Sequence, residues 1–244
     1  MTNVAFGFGV PCELRPERWA TFLDDLNRAL DLAEGTFDSA WMVDHLQFGD
    51  AGVLEGFTAL AYLTALHVEQ LDEALQIVKA LWTQEAVTFE GTHYRVVEAR
   101  CEPRPDPVPP IVIGAFGPKM LRLTAQHADV WDVSSTRVER YRRLAEEFGR
   151  ACAEVGRDPA TVRRSWSGGC ACARTRAEAD ALAGGRISDD DENFDFVGTP
   201  EQLVEQMRPF VSLGVDRFIL DCVDFPRPTG LELLINEVLP ALRG

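Results

Sequence analysis

The sequence predicts an α/β protein in which strands and helices alternate around a parallel sheet, closed or open. Short apolar runs of strand length, such as Val4–Val10 and Ile111–Ile113, recur between longer segments with apolar residues every three or four positions. The run Ser39–Val43 is apolar almost throughout, the pattern of a strand covered on both faces. No linker is rich enough to split the 244 residues, so we expect a single domain over 1–244.

The elements follow in order. Val4–Val10 reads as a strand stopped by Pro11, and Pro16 opens a helix whose stripe is Trp19, Phe22, Leu23, Leu26, Leu30 and Ala33, ended by Gly35. Ser39–Val43 is the second strand and runs into Asp44 and His45. Phe57–Leu66 reads as a helix that passes through His67 without a turn signal. From Val68 the period stays helical, with Leu71, Leu75, Val78 and Trp82 on one side. Val87–Val96 alternates around Glu90-Gly91 as a hairpin, and a proline-rich connector spans 103–110. Ile111–Ile113 is a strand, Gly114 to Pro118 a glycine-bearing turn, and Met120–Ala128 a helix. Val130–Val133 is a further strand, and Val138–Val155 a long amphipathic helix closed by Gly156.

In the last third, Arg164–Ala173 is a strand with a glycine pair inside, and Glu178–Ala183 a short helix. Ile187–Phe196 is acidic and expected to be exposed. Thr199 and Pro200 start a helix as N-cap and N1, stopped by Gly214. Arg217–Cys222 is the last strand and Leu231–Leu242 the last helix. Six principal strands result.

Charge and composition exclude several classes of function. Lys and Arg number 24 against 39 Asp and Glu, a net charge of −15, which repels nucleic-acid phosphates and anionic membranes. No apolar run approaches the roughly 20 residues needed to cross a bilayer, and the Met1-Thr2-Asn3-Val4 start lacks a secretory n-region. The expectation is a cytoplasmic globular protein. The six cysteines are scattered with no C-x-x-C pair, and we read them as small buried hydrophobes rather than a disulfide or zinc framework.

Two places carry chemistry. In the strand–turn–helix from Ile111, Gly114 and Gly117 let backbone amides approach a ligand, and the helix after Pro118 adds free N–H groups and a positive dipole end. Lys119 in that first turn opposes the dipole, which a nearby phosphate would explain. A plain βα turn is the alternative. Asp44-His45 ends a predicted strand, where parallel α/β folds hold their ligands, and a His beside a carboxylate suits proton transfer near neutral pH. The alternative is that His45 satisfies a loop carbonyl. His127 falls on an apolar helix and reads as structural. Gly7-Phe8-Gly9 lacks the third glycine of a dinucleotide fingerprint, since Cys12 stands there. Asp189–Asn193 is no calcium loop, because Phe194 replaces the turn glycine and Pro200 the bidentate Glu.

Several segments together resemble one family. Phe37-Asp38-Ser39-Ala40-Trp41-Met42-Val43-Asp44-His45, Glu73–Trp82, Val87–Tyr94, Pro109–Gly114, Ala128–Trp131, Gly198–Leu203 and Leu213–Phe218 resemble, in the same order, the bacterial luciferase-like oxidoreductases that use flavin or deazaflavin. The resemblance implies a TIM-barrel-like (β/α)8 fold binding coenzyme F420 or FMN at the carboxyl ends of its strands. It implies an oxidoreductase, monooxygenases being among the relatives, that moves hydride between F420 (or FMN) and a small organic substrate. Gly114, Ala115, Phe116 and Gly117 would hold the cofactor phosphate, and His45 with Asp44 would stand at the reactive ring. A homodimer is the expected assembly.

One departure bears on the fold. Complete members place a third strand, a helix and a fourth strand between the helices matching Phe57–Leu66 and Val68–Trp82. Here only His67 separates them, so more than the roughly 30 residues of one βαβ unit are absent. The resemblance thus implies an incomplete barrel lacking about two strands, with edges to pair or cover. Its alternative function is that of a non-catalytic flavin-binding or dimerising descendant with a defective redox site.

Overall fold

The computed structural model describes residues 5–9, 13–14, 28–29, 31–33, 35–37, 39–41, 52–53, 68–184 and 193–243. In chain order the early elements are β1 (Ala5–Gly9), β2 (Glu13–Leu14), β3 (Ser39–Trp41), β4 (Gly52–Val53) and α1 (Val68–Thr83). Then come β5 (Val87–Glu90), β6 (Arg95–Ala99), β7 (Val112–Gly114), α2 (Pro118–His127), β8 (Val130–Ser134) and α3 (Val138–Glu154). After a 3₁₀ turn at Pro159–Thr161 follow β9 (Arg163–Cys172), α4 (Arg176–Ala183), β10 (Phe196–Gly198), α5 (Pro200–Ser212) and β11 (Arg217–Cys222). The chain closes with α6 (Thr229–Leu233), a π turn at Leu234–Val238 and α7 (Leu239–Arg243). All six principal strands form, as β1, β3, β7, β8, β9 and β11.

The chain forms two compact units, 1–56 with 132–146 and 163–244, and 57–131 with 147–162. In the first, the strand path runs β3, β1, β11, β9 and on to β8. The β3, β1, β11 and β9 pairings are parallel, and β10 pairs parallel to the end of β9. Phe6 lies opposite Phe218, and Phe218 opposite Trp166, so three rings stand side by side on one face. Trp166 also lies 4.1 Å from Phe196 and 6.1 Å from Phe210 of α5, ring centre to ring centre. All five rings are at most 1% exposed. Because side chains alternate along a strand, this aromatic layer assigns Gly7, Ser165, Ser167, Arg217, Ile219 and Asp221 to the opposite face. Gly168 sits where a Cβ would come within 2.6 Å of Asp195 Oδ1 and 2.8 Å of Trp166, so the layer closes only over a glycine.

Helix starts follow side-chain capping. Thr199 accepts from Gln202 N while the Gln202 side chain returns to Thr199 N, with Pro200 at N1, as the sequence predicts. The same reciprocal cap of Thr175 with Glu178 starts α4 at Arg176, two residues before the expected Glu178.

The second unit is built on α1. Val68, Leu71, Leu75 and Trp82 pack on Ile111, Ile113, Leu123 and Ala128. His127 Nε2 lies 2.7 Å from Asp72 Oδ1, and Lys79 Nζ donates to the His127 carbonyl at 2.7 Å, so His127 is indeed a structural link between α1 and α2. The β5–β6 hairpin is antiparallel. Its turn is held by Glu73, whose carboxylate accepts the N–H groups of Thr92, His93 and Tyr94 at 2.7–2.9 Å. Gly91 lies against that carboxylate with no room for a Cβ.

Two expectations are corrected. The stretch Ile187–Phe196 does not stay acidic and exposed to its end: Asp195 and Phe196 are 5% and 0% exposed, because Phe196 joins the aromatic layer and begins β10. Cys101 and Cys222 are only half-buried, while Cys152, Cys170 and Cys172 fit the buried reading. The β2–β4 pair was not expected. The helix expected at Phe57–Leu66 and most of the stripe from Trp19 to Leu30 lie outside the described residues. Among the described residues, no helix is long and apolar enough to cross a membrane.

Trp166→Ala removes the centre of the aromatic layer and is expected to cost about 3–5 kcal/mol of stability in urea unfolding. Loss of less than about 1 kcal/mol would show that the layer is not the core of the first unit.

Candidate active site

In the second unit, β7 carries the chain to an open turn. Gly114 and Gly117 are exposed and a Cβ on either would meet nothing within 4 Å. Gly117 is the N-cap of α2 in an extended conformation (φ −100°, ψ 157°), with no side-chain cap and no acidic residue in the first turn. The first intrahelical bond is Leu121 N to Gly117 O. Pro118 has no N–H, so Gly117, Lys119 and Met120 present the orphan donors of the helix end. These amides, the dipole and exposed Lys119 fit an anionic group such as a phosphate.

The other two residues of the expected phosphate turn are less exposed. Ala115 is 2% exposed and its carbonyl accepts from Trp131 Nε1 at 3.0 Å. Trp131 is in turn stacked on Phe148, 4.6 Å between ring centres, so the indole fixes where the turn leaves the strand. Phe116 is half-buried. The Ala-Asp-Val-Trp segment signalled this role for Trp131 only as an apolar strand. Asp129, next to it, accepts Ile111 N at 2.8 Å and so holds the start of β7.

His45 and Asp44 lie outside the described residues, as does His67. His93 is exposed and lies 3.7 Å from Glu69.

The first unit carries a set of carboxylates on and around its strands. Asp132 accepts from Ser167 Oγ at 2.7 Å and from Ser165 Oγ. Burial pushes its carboxyl above the ordinary range, and the two hydroxyls act in the opposite direction. Asp195 accepts from Ser135 Oγ at 2.7 Å and from Gly169 N at 2.9 Å. Asp224 is buried, accepts Gly230 N at 2.8 Å, and burial pushes it up as well. Asp221 is the penultimate residue of β11 and is exposed to solvent. Desolvation, with the Asp195 charge second, pushes its carboxyl up to about 6. The sequence gives Asp221 no motif; only its place at a strand's carboxyl end could have marked it.

The comparisons follow this geometry. A family model described as luciferase-like monooxygenase matches residues 65–193, more than half of the chain. An F420-dependent glucose-6-phosphate dehydrogenase of Intrasporangium calvum is 26% identical over 205 residues, covering 72% of this chain and 61% of that protein. An F420-dependent hydroxymycolic acid dehydrogenase of Mycobacterium tuberculosis is 30% identical over 94 residues, 38% of this chain and 26% of that one. This chain therefore spans about three fifths or less of these curated relatives. An F420-dependent secondary alcohol dehydrogenase in complex with an F420–acetone adduct superposes with a TM-score of 0.73 at 15% identity, over 99% of this chain and 100% of that one. An F420-dependent tetrahydromethanopterin reductase from Methanopyrus kandleri gives 0.71 at 15%, over 98% and 99%. These two likenesses establish the fold.

Trp131→Phe keeps a ring for Phe148 but strands the buried Ala115 carbonyl, at an expected cost of about 1–3 kcal/mol in denaturant unfolding. An unchanged midpoint would remove the indole from its positioning role. The Asp221 carboxyl binds its proton more tightly in the folded state, near 6 against an ordinary 3.8. The native state therefore holds more protons than the unfolded chain between those values, and this group's contribution to stability falls as pH rises through that window. Asp221→Asn is expected to melt higher than the parent above pH 6, with the gap closing toward pH 4. A pH-independent gap contradicts the assignment.

Proposed function

This chain belongs to the luciferase-like monooxygenase family, and on that premise we propose that it is an oxidoreductase of the deazaflavin-using kind. Its cofactor is coenzyme F420, with FMN as the second choice, and it moves hydride between that cofactor and a small organic substrate. The observation that carries this reading is the uncapped start of α2, where Gly114 and Gly117 leave the amides of Gly117, Lys119 and Met120 open to an anion. The F420-dependent relatives support the choice of cofactor.

The residues divide the work. The Gly114–Gly117 turn takes the phosphate, with Gly114 and Gly117 giving room, Ala115 anchored under Trp131, and Phe116 beside them. When bound, the cofactor supplies the hydride chemistry, and the protein supplies position, exclusion of water and proton handling. By the family resemblance, His45 with Asp44 beside it exchanges the proton that accompanies hydride transfer. We assign the protein to the cytoplasm, where thiols such as those of Cys101, Cys170, Cys172 and Cys222 are kept reduced.

A second reading is a ligand-binding or dimerising protein without turnover. It is favoured by β3, which among the described residues pairs only with β1. A strand with one such side suits a homodimer that covers it. The two readings separate at turnover rather than at binding.

The test is titration of the purified protein with F420 and with FMN, followed by cofactor fluorescence, beside Gly117→Asp. The new carboxylate caps α2 and should raise stability by about a few tenths of a kcal/mol, yet it takes the anion's place and should weaken cofactor binding at least tenfold. Binding by neither cofactor, or binding indifferent to Gly117→Asp, would sink the proposed site.

A further inference from the structure

We propose that the first unit carries a further ligand site, a small pocket beside the end of β11 that binds a monoanionic carboxylate with a short apolar chain. It needs no cofactor, and every residue lining it belongs to the first unit.

The walls come from two parts of the chain remote in sequence. Arg28 and Ala29 are helical residues between β1 and β3. Cys222 is the last residue of β11, the loop after it brings in Phe225 to Pro228, and Leu231 of α6 closes the side. Ala29 and Leu231 are buried in one apolar cluster with Ala33, and Cys222 and Phe225 pack against it. The pocket encloses about 300 Å³ of empty space, part of it open to solvent. Such a notch suits the end of an aliphatic chain, which gains by leaving water.

The rim carries charge. Arg28 and Arg227 both line the pocket and both are exposed. Among the described residues, neither guanidinium has a hydrogen-bond or ion-pair partner. Asp224 is the acid whose charge reaches Arg227, and the guanidinium favours its ionised form. Its carboxylate is buried and committed to Gly230 N at 2.8 Å. With Asp224 ionised, two guanidiniums and one carboxylate leave a single positive charge, which a monoanion matches and a dianion exceeds. A carboxylate suits the donors as well, because its two oxygens accept paired N–H groups from one guanidinium.

The loop that carries Arg227 is fixed before any ligand arrives. Val223 N donates to Cys170 O at 3.1 Å, Phe225 N to Cys222 O at 3.3 Å, and Arg227 N to Asp224 O at 2.9 Å. The Asp224 side chain then reaches forward to Gly230, where a Cβ would come within 2.7 Å of its Oδ1. Pro226 and Pro228 restrict φ on either side of Arg227. A loop already ordered loses little entropy on binding, so a shallow site of this kind can hold a small ligand.

The test uses hexanoate as the probe on the full chain, with hexanol, acetate and hexyl phosphate beside it. Methyl NMR of Ala29 and Leu231 locates binding, and titration gives the affinities of parent, Arg28→Gln and Arg227→Gln. Both arginines are exposed, so the variants should fold, and their melting midpoints check this. Hexanoate is expected to shift both methyl signals. Hexanol and acetate should bind about tenfold or more weakly, since one lacks the charge and the other the chain. Each Gln variant should lose about tenfold in hexanoate affinity, and added salt should weaken hexanoate but not hexanol. Tighter binding of hexyl phosphate than of hexanoate would overturn the carboxylate class. Equal affinity for hexanol and hexanoate would reduce the arginines to stems covering apolar surface, and the anion site would be lost. Hexanoate that leaves both methyl signals unmoved at millimolar concentration, or binds the variants as it binds the parent, overturns the site itself.

Discussion

The parallel register of β1, β11 and β9 is the constraint on which the first unit depends. Once Phe6, Phe218 and Trp166 are set side by side, the period of two leaves no freedom about the other face. A slip of one residue would carry the glycines and serines into the core and the aromatic rings into water. Burial of those rings holds the register far more strongly than any polar contact on the opposite face. The candidate chemistry of this unit is therefore a by-product of a hydrophobic decision: Asp132, Ser165, Ser167 and Asp221 are where they are because their neighbours are buried.

The second unit shows the reverse arrangement, with polar ties deciding geometry that apolar packing leaves loose. The packed face of α1 is only half-buried, and its attachments are the Asp72–His127 contact, the Lys79 bond to the His127 carbonyl, and the Glu73 grip on three hairpin amides. Desolvation works against the Glu73 charge, but the amides of His93, Tyr94 and Thr92 outweigh it and hold the carboxyl below its ordinary range. The turn after β7 is set in the same way, by one indole N–H on one carbonyl. A site for a charged tail gains from this: its donors are backbone groups fixed by a neighbour that is not itself a ligand.

Much of the fold was legible because its signals are local. The six principal strands appear as apolar runs, and α5 announces itself through Thr199 and Pro200. The turn at Gly114–Gly117 could be found from glycine spacing before a helix. The misses share a cause, since each depends on a partner remote in sequence. Phe196 looks like the end of an acidic loop until Trp166 and Phe210 are beside it. Glu73 looks like a solvated charge until the hairpin folds onto it. Thr175 is the exception: its Thr-x-x-Glu box was readable, yet an expected start at Glu178 overlooked it. Ala115, which the family resemblance places in the phosphate turn, has its methyl group drawn into the core, while Gly114 and Gly117 stay exposed.

The same reasoning accounts for the carboxylates. With a net charge of −15 the chain has acidic residues to spare, and most can sit in water at no cost. Asp132, Asp221 and Asp224 do not, and desolvation raises all three. Asp132 and Asp224 recover part of that cost through hydroxyl or amide donors, so each reads as a structural anion or acid held in place. Asp221 recovers none from a hydrogen bond among the described residues, and Asp195 repels it further. Asp221 therefore binds its proton more tightly in the folded state, and its contribution to stability falls as pH rises through that titration.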